Sequence, residues 1–117
     1  MMKSVLRDKS YAFAVRVVKL YRFLCDEKRE YVLSKQLLRS GTAIGALIRE
    51  AEFGQSKADF ISRMSIALKE ANETAYWLDL LKDAGYLNES MFQSIATDCL
   101  ELIKLLVATV KTAKIKQ

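Results

Sequence analysis

The sequence predicts an all-α fold: an antiparallel, up-down-up-down four-helix bundle. Three observations carry this. The 117 residues contain no proline and only four glycines, although 51% are apolar, so long helices with short connections are favoured over turn-rich β structure. Apolar residues recur at i, i+4, i+7 and i+8 along four separate segments. Glycine or capping residues fall between those segments. The length is that of a single domain, residues 1–117, able to bury one core without metal or disulfide staples.

The first helix is placed over about residues 8–25. Phe13, Val17, Leu20, Tyr21 and Leu24 form one face. Val15 and Phe23 lie elsewhere on the wheel, among Arg16, Lys19 and Arg22. A monomeric surface helix has a cleaner polar side, so part of this outer surface is expected to be covered. The charged connection Asp26-Glu27-Lys28-Arg29 follows.

The second helix is placed over about 30–53 and holds the most distinctive stretch, L-L-R-S-G-T-A-I-G-A-L-I-R-E-A from Leu37 to Ala51. Glycine costs about 1 kcal/mol relative to alanine within a helix. Breaking the chain at Gly41 or Gly45 would nevertheless leave two short fragments whose faces match by accident. One helix explains the common phase of Leu33, Leu37, Ile44, Ile48 and Ala51. The motif Ser40, Gly41, Thr42, Ile44 and Gly45 then serves helix packing, its small residues admitting a neighbour closely. Charged Arg39, Arg49 and Glu50 exclude a membrane G-x-x-x-G reading. Opposite the core, Lys35, Arg39, Thr42, Ala46 and Arg49 form a stripe. This stripe reads as a solvated face, a phosphate-contacting surface or a set of inter-subunit salt bridges.

Ser56-Lys57-Ala58-Asp59 marks the N-cap of a third helix, about 56–83, with Phe60, Met64, Ala67, Leu68, Ala71, Ala75, Leu78 and Leu81 inward. Tyr76, Trp77 and Leu80 widen its apolar surface and are the candidate oligomer interface. Ala84-Gly85 stops it. Asn88 caps a fourth helix, about 88–114, whose seam is Phe92, Ile95, Cys99, Leu102, Ile103, Leu106 and Val110. Lys111, Lys114 and Lys116 complement the dipole at its C-terminal end and need no ligand to explain them.

Charge is divided along the chain. Residues 1–49 carry +7, residues 50–102 carry −6 and residues 103–117 carry +4, consistent with the net +5. Such asymmetry suits an anionic partner such as RNA or DNA, or contact between the basic part of one copy and the acidic part of another. No apolar run has the form of a signal peptide or reaches the roughly 18 residues of a membrane span, so a cytoplasmic protein with no membrane partner is expected. Cys25 and Cys99 read as reduced core or boundary residues.

Histidine is absent, which removes the commonest general base and the Glu-x-x-His pairs of di-iron bundles. No Walker loop or dinucleotide fingerprint occurs. A protein without enzymatic activity, cofactor or metal is therefore expected, with no catalytic residue to name.

The run S-K-Q-L-L-R-S-G-T-A-I-G-A-L-I-R-E-A, followed by S-K-A-D-F-I and I-A-L-K-E-A-N-E-T-A-Y-W-L, resembles the bacterial four-helix bundle proteins encoded within intervening sequences of 23S ribosomal RNA genes. The resemblance spans about Lys9 to Lys114; Leu47 stands where many members have asparagine. These proteins are similar to the accessory variability protein of diversity-generating retroelements, which forms barrel-shaped pentamers whose basic surfaces engage nucleic acid and a reverse transcriptase. The resemblance thus implies a homo-oligomer, most simply a pentamer. The candidate nucleic-acid contacts are Arg16, Lys19, Arg22, Lys35, Arg39 and Arg49. The alternative is a protein-interaction scaffold that binds a protein partner and no nucleic acid.

Overall fold

A computed structural model of the chain describes residues 4–116, which form four helices: α1 (Val5–Asp26), α2 (Leu33–Glu52), α3 (Lys57–Asp83) and α4 (Glu89–Ile115). The body measures 46 × 24 × 19 Å, the long dimension set by the 27-residue α3 and α4 at 1.5 Å per residue. Each helix packs on its sequence neighbours, and α4 closes back on α1 as the loosest seam. Cross-helix partners run in opposite chain directions. Arg7 meets Glu52 while Val17 lies against Gly41; Glu50 meets Arg63 while Ser40 meets Thr74. This is an antiparallel four-helix bundle.

The caps are local. Ser4, Ser56 and Asn88 side chains accept the backbone N–H groups of Arg7, Asp59 and Met91 at 3.1, 3.0 and 2.8 Å. Each satisfies a donor that the helix itself cannot, worth about 1 kcal/mol. Gly85 follows α3 at φ +91°, where a side chain would be strained.

The start of α2 differs from the sequence expectation. It begins at Leu33, not near Glu30, because Glu30 acts as an anionic cap. Its buried carboxylate accepts the N–H groups of Val32, Leu33 and Ser34 at 3.1, 2.9 and 2.7 Å. Arg29, at φ 55°, turns the chain just before it. Likewise α1 starts at Val5, three residues before the expected position, because Ser4 caps it.

One apolar core runs through the bundle, built on Phe13, Val17, Leu24, Leu37, Ile44, Ile48, Met64, Leu78, Leu81, Leu102 and Leu106, all essentially inaccessible. Each such side chain contributes about 1.5–3 kcal/mol relative to exposure. Gly41 and Gly45 lie within one continuous α2. A Cβ on Gly41 would sit 2.8 Å from both methyls of Val17, and one on Gly45 would lie 3.4 Å from the Ser10 carbonyl oxygen. The buried Ser40 and Thr74 hydroxyls lie 2.9 Å apart, and the Thr42 hydroxyl donates to the Leu38 carbonyl at 2.7 Å. Ile44 is core, and Leu47 is half-buried against it.

Cys99 is buried between α4 and α3, and burial, with the Asp79 charge adding, pushes its thiol up to about 12. Cys25 is half-buried, 3.8 Å from the Ser34 hydroxyl. A thiol reagent at neutral pH is therefore expected to modify Cys25 in the native protein and to reach Cys99 only on unfolding. Equal reaction of both native thiols, read by peptide mass spectrometry, would contradict this burial.

Candidate nucleic-acid interface

Folding brings the acidic stretch of residues 50–102 back beside the basic residues 1–49, so much of the linear charge asymmetry is neutralised inside one bundle. Lys9 pairs with Glu101 at 3.2 Å, and Arg7 reaches Glu52 at 3.9 Å. Arg63 bridges Asp59 and Glu50.

Two of the six candidate contacts belong to this internal network. The Arg16 guanidinium donates to Asp98 at 2.5 Å and to the Ser94 carbonyl and hydroxyl at 3.1 and 2.7 Å, tying α1 to α4. Arg39 donates to Glu70 at 3.2 Å and to Glu73, tying α2 to α3. Their side chains are only partly exposed, and their charge is compensated within the protomer.

Lys19, Arg22, Lys35 and Arg49 are exposed and make no ion pair with a described residue. They do not form one cluster. Lys19 stands with Arg16 at a groove of about 560 Å³ between α1 and α4, lined by Leu20, Phe23, Ser90 and Met91. Arg49 stands at a groove of about 550 Å³ between α1 and α2, walled by Tyr11 and Phe53 and floored by Ala14, Gly45 and Ala46. Arg22 and Lys35 are near the α1–α2 turn, where Lys28 lies 5.9 Å above the Phe23 ring.

A cut across the middle of the bundle, between residue pairs such as Arg16–Asp98 and Ser40–Thr74, shows where the net charge sits. The half with the α1–α2 and α3–α4 turns (residues 16–42 and 71–100) carries eight cations and eight acids. The opposite half (4–15, 43–70 and 101–116) carries ten cations and six acids. Five of the six candidate contacts fall in the neutral half; Arg49 alone falls in the basic one.

The apolar candidate interface stands on the outer side of α3. Tyr76 is 58% exposed and packs edge-to-face on Trp77, ring centroids 5.1 Å apart. Trp77 is half-buried with its indole N–H 3.4 Å from Glu73; Leu80 is half-buried beside them. Other exposed apolar groups lie outside that set. Tyr11, Val15 and Val18 follow i, i+4, i+7 spacing on α1, and Leu100 and Val107 lie two turns apart on one face of α4. Of these, Val15 alone stands out from the sequence by its place among the charged residues of the α1 wheel.

Among the described residues no three acidic, cysteine or histidine side chains converge as metal ligands, and no helix is long and apolar enough to cross a membrane.

The geometry defines a class, an antiparallel four-helix bundle with a basic end and apolar outer stripes. Within that class, the match to the family model of the 23S rRNA-intervening sequence protein over residues 2–108 shows that the chain belongs to that family. It is also similar to a solved structure from Bacteroides thetaiotaomicron, a protein of unknown function from the S23 ribosomal protein family. The two are 57% identical, with a TM-score of 0.90, over 92% of this chain and 99% of that one. No protein with a curated description matches the sequence.

Proposed function

We propose that this protein is a non-enzymatic, cytoplasmic homo-oligomer that binds RNA or DNA through phosphate contacts. The pentamer is the assembly implied by the resemblance to retroelement accessory variability proteins. The observation that carries the nucleic-acid reading is that Lys19, Arg22, Lys35 and Arg49 are exposed and make no ion pair with a described residue. Such cations gain by releasing counterions from a phosphate backbone. Self-association is supported by the outer apolar stripe of Tyr11, Val15 and Val18 and by Tyr76 on α3. A hydrophobic contact suits these stripes better than pairing of basic with acidic regions between copies, since Lys9, Arg16, Arg39 and Arg63 already meet their acids within one chain.

Fluorescence anisotropy with a labelled mixed-sequence RNA tests the binding. The double substitution Lys35→Ala, Arg49→Ala is expected to weaken binding about tenfold, equivalent to about 1.4 kcal/mol. Arg39→Ala should have a smaller effect because Glu70 and Glu73 already compensate its charge. Binding should show little sequence preference. Wild-type protein that leaves the RNA free at low salt would remove the nucleic-acid reading and favour the scaffold, whose partner would then meet the apolar stripes.

A further inference from the structure

We infer that the last turns of α4, together with the first turn of α3, form the principal phosphate-binding surface of the protein. This inference rests on the nucleic-acid reading above and relocates its site. From Leu102 onward the described chain has no acid, while Lys104, Lys111, Lys114 and Lys116 are all exposed and make no ion pair with a described residue. The up-down topology places Lys57, on the first turn of α3, at the same end. Lys57 lines a shallow groove of about 540 Å³ with Thr112 and Ala113 of α4 and with Phe60.

The location follows from the charge distribution. The half of the bundle holding these lysines carries the whole excess of cations over acids among the described residues. Three other cations in that half are committed, Lys9 to Glu101, Arg7 to Glu52, and Arg63 to Asp59 and Glu50, which leaves Arg49 and Lys69 as its only further cations without an ion pair to a described residue. The α4 lysines also complement the dipole of their own helix, and they do so from exposed positions on its surface. From Lys104 to Lys116 they span about 18 Å of helix, at 1.5 Å per residue. Duplex DNA presents one charge per about 1.7 Å of axis, so several phosphates fall within their reach.

The chemistry also restricts the ligand. Lysine offers a flexible point charge without the planar fork that reads a guanine edge. The groove beside Lys57 is lined by one aromatic ring, the half-buried Phe60; the exposed Phe53 lies four residues before Lys57, outside that groove. The lysines therefore contact the sugar-phosphate backbone, with no sequence readout.

The experiment compares two triple variants of the full chain by anisotropy, using a labelled mixed-sequence DNA as duplex and as single strand, over a salt series. Lys111→Gln, Lys114→Gln, Lys116→Gln is expected to lose at least tenfold in affinity. It should also lower the slope of log affinity against log salt by about 2 to 3 on duplex, at about 0.9 per phosphate contact. Replacing the same lysines by arginine should restore both. Lys19→Gln, Arg22→Gln, Lys35→Gln is expected to lose less. Circular dichroism confirms that each variant keeps its helices. If the α1–α2 triple abolishes binding while the α4 triple matches wild type, the surface lies at the other end and the inference is overturned, though the nucleic-acid reading survives. If wild type binds neither DNA but binds vesicles of phosphatidylglycerol and phosphatidylcholine, both fall and the lysines serve an anionic membrane.

Discussion

Gly41→Val is expected to destabilise the bundle by about 3 kcal/mol, whereas Gly45→Ala, four residues along the same helix, is expected to stabilise it by up to about 1 kcal/mol. The difference lies in what each new side chain would meet. At position 41 a Cβ alone sits 2.8 Å from both Cγ atoms of Val17, which is fully buried and has no room to turn away. Overpacking of this kind forces the α1–α2 contact apart and outweighs the gain in helix propensity. At position 45 the nearest atom is the Ser10 carbonyl oxygen at 3.4 Å, so alanine fits with a small adjustment and lowers the entropy of the unfolded chain. Urea unfolding followed by circular dichroism measures both. In the Gly41→Ala background, Val17→Ala should recover part of the loss, a coupling that a double-mutant cycle isolates. Equal tolerance of valine at position 41 would mean that the close approach of α1 and α2 is wrong.

Glu30→Ala should cost about 2–3 kcal/mol, a large effect for a connecting residue. Three N–H groups at the start of α2 donate to this carboxylate, and no side chain caps α2 at Val32. Burial pushes the Glu30 carboxyl up, but the amides of Leu33, Ser34 and Val32 more than offset this and hold it below the ordinary carboxylate range. The sign follows. A depressed native pKa stabilises the fold fully above the unfolded value of about 4.3, and this contribution is lost as pH falls through the native value. Glu30→Gln should therefore be less stable than wild type at neutral pH, with the gap narrowing in acid. A gap that stays constant from neutral pH into strong acid would show that the carboxylate charge does not matter there.

Much of the fold was legible because the core repeats at helical spacing and because Ser56, Asn88 and Gly85 carry their own local signals. Glu30 was not, because an acid before a helix usually reads as a first-turn residue complementing the dipole. Its role needs the chain reversal at Arg29, whose left-handed φ leaves no mark in the sequence. The surface was less legible than the core for a related reason. Linear charge sums place the larger positive part, +7, in residues 1–49 and a further +4 in residues 103–117, but helix pairing sets Asp98 against Arg16 and Glu70 and Glu73 against Arg39. Arg49 kept its outward position, as did Lys35. The α4 lysines, set aside as dipole partners, emerged as the least compensated charges only after Lys57 was placed beside them. That signal was available in principle: an up-down bundle necessarily puts the start of α3 and the end of α4 at one end.

The most direct test is light scattering after size exclusion, with and without a mixed RNA and DNA pool, at two salt concentrations. The expected result is an assembly with the mass of five chains that shifts to a larger, nucleic-acid-containing species at low salt and returns to its own mass at high salt. An assembly, or a monomer, that keeps the same mass with nucleic acid at both salts would contradict it.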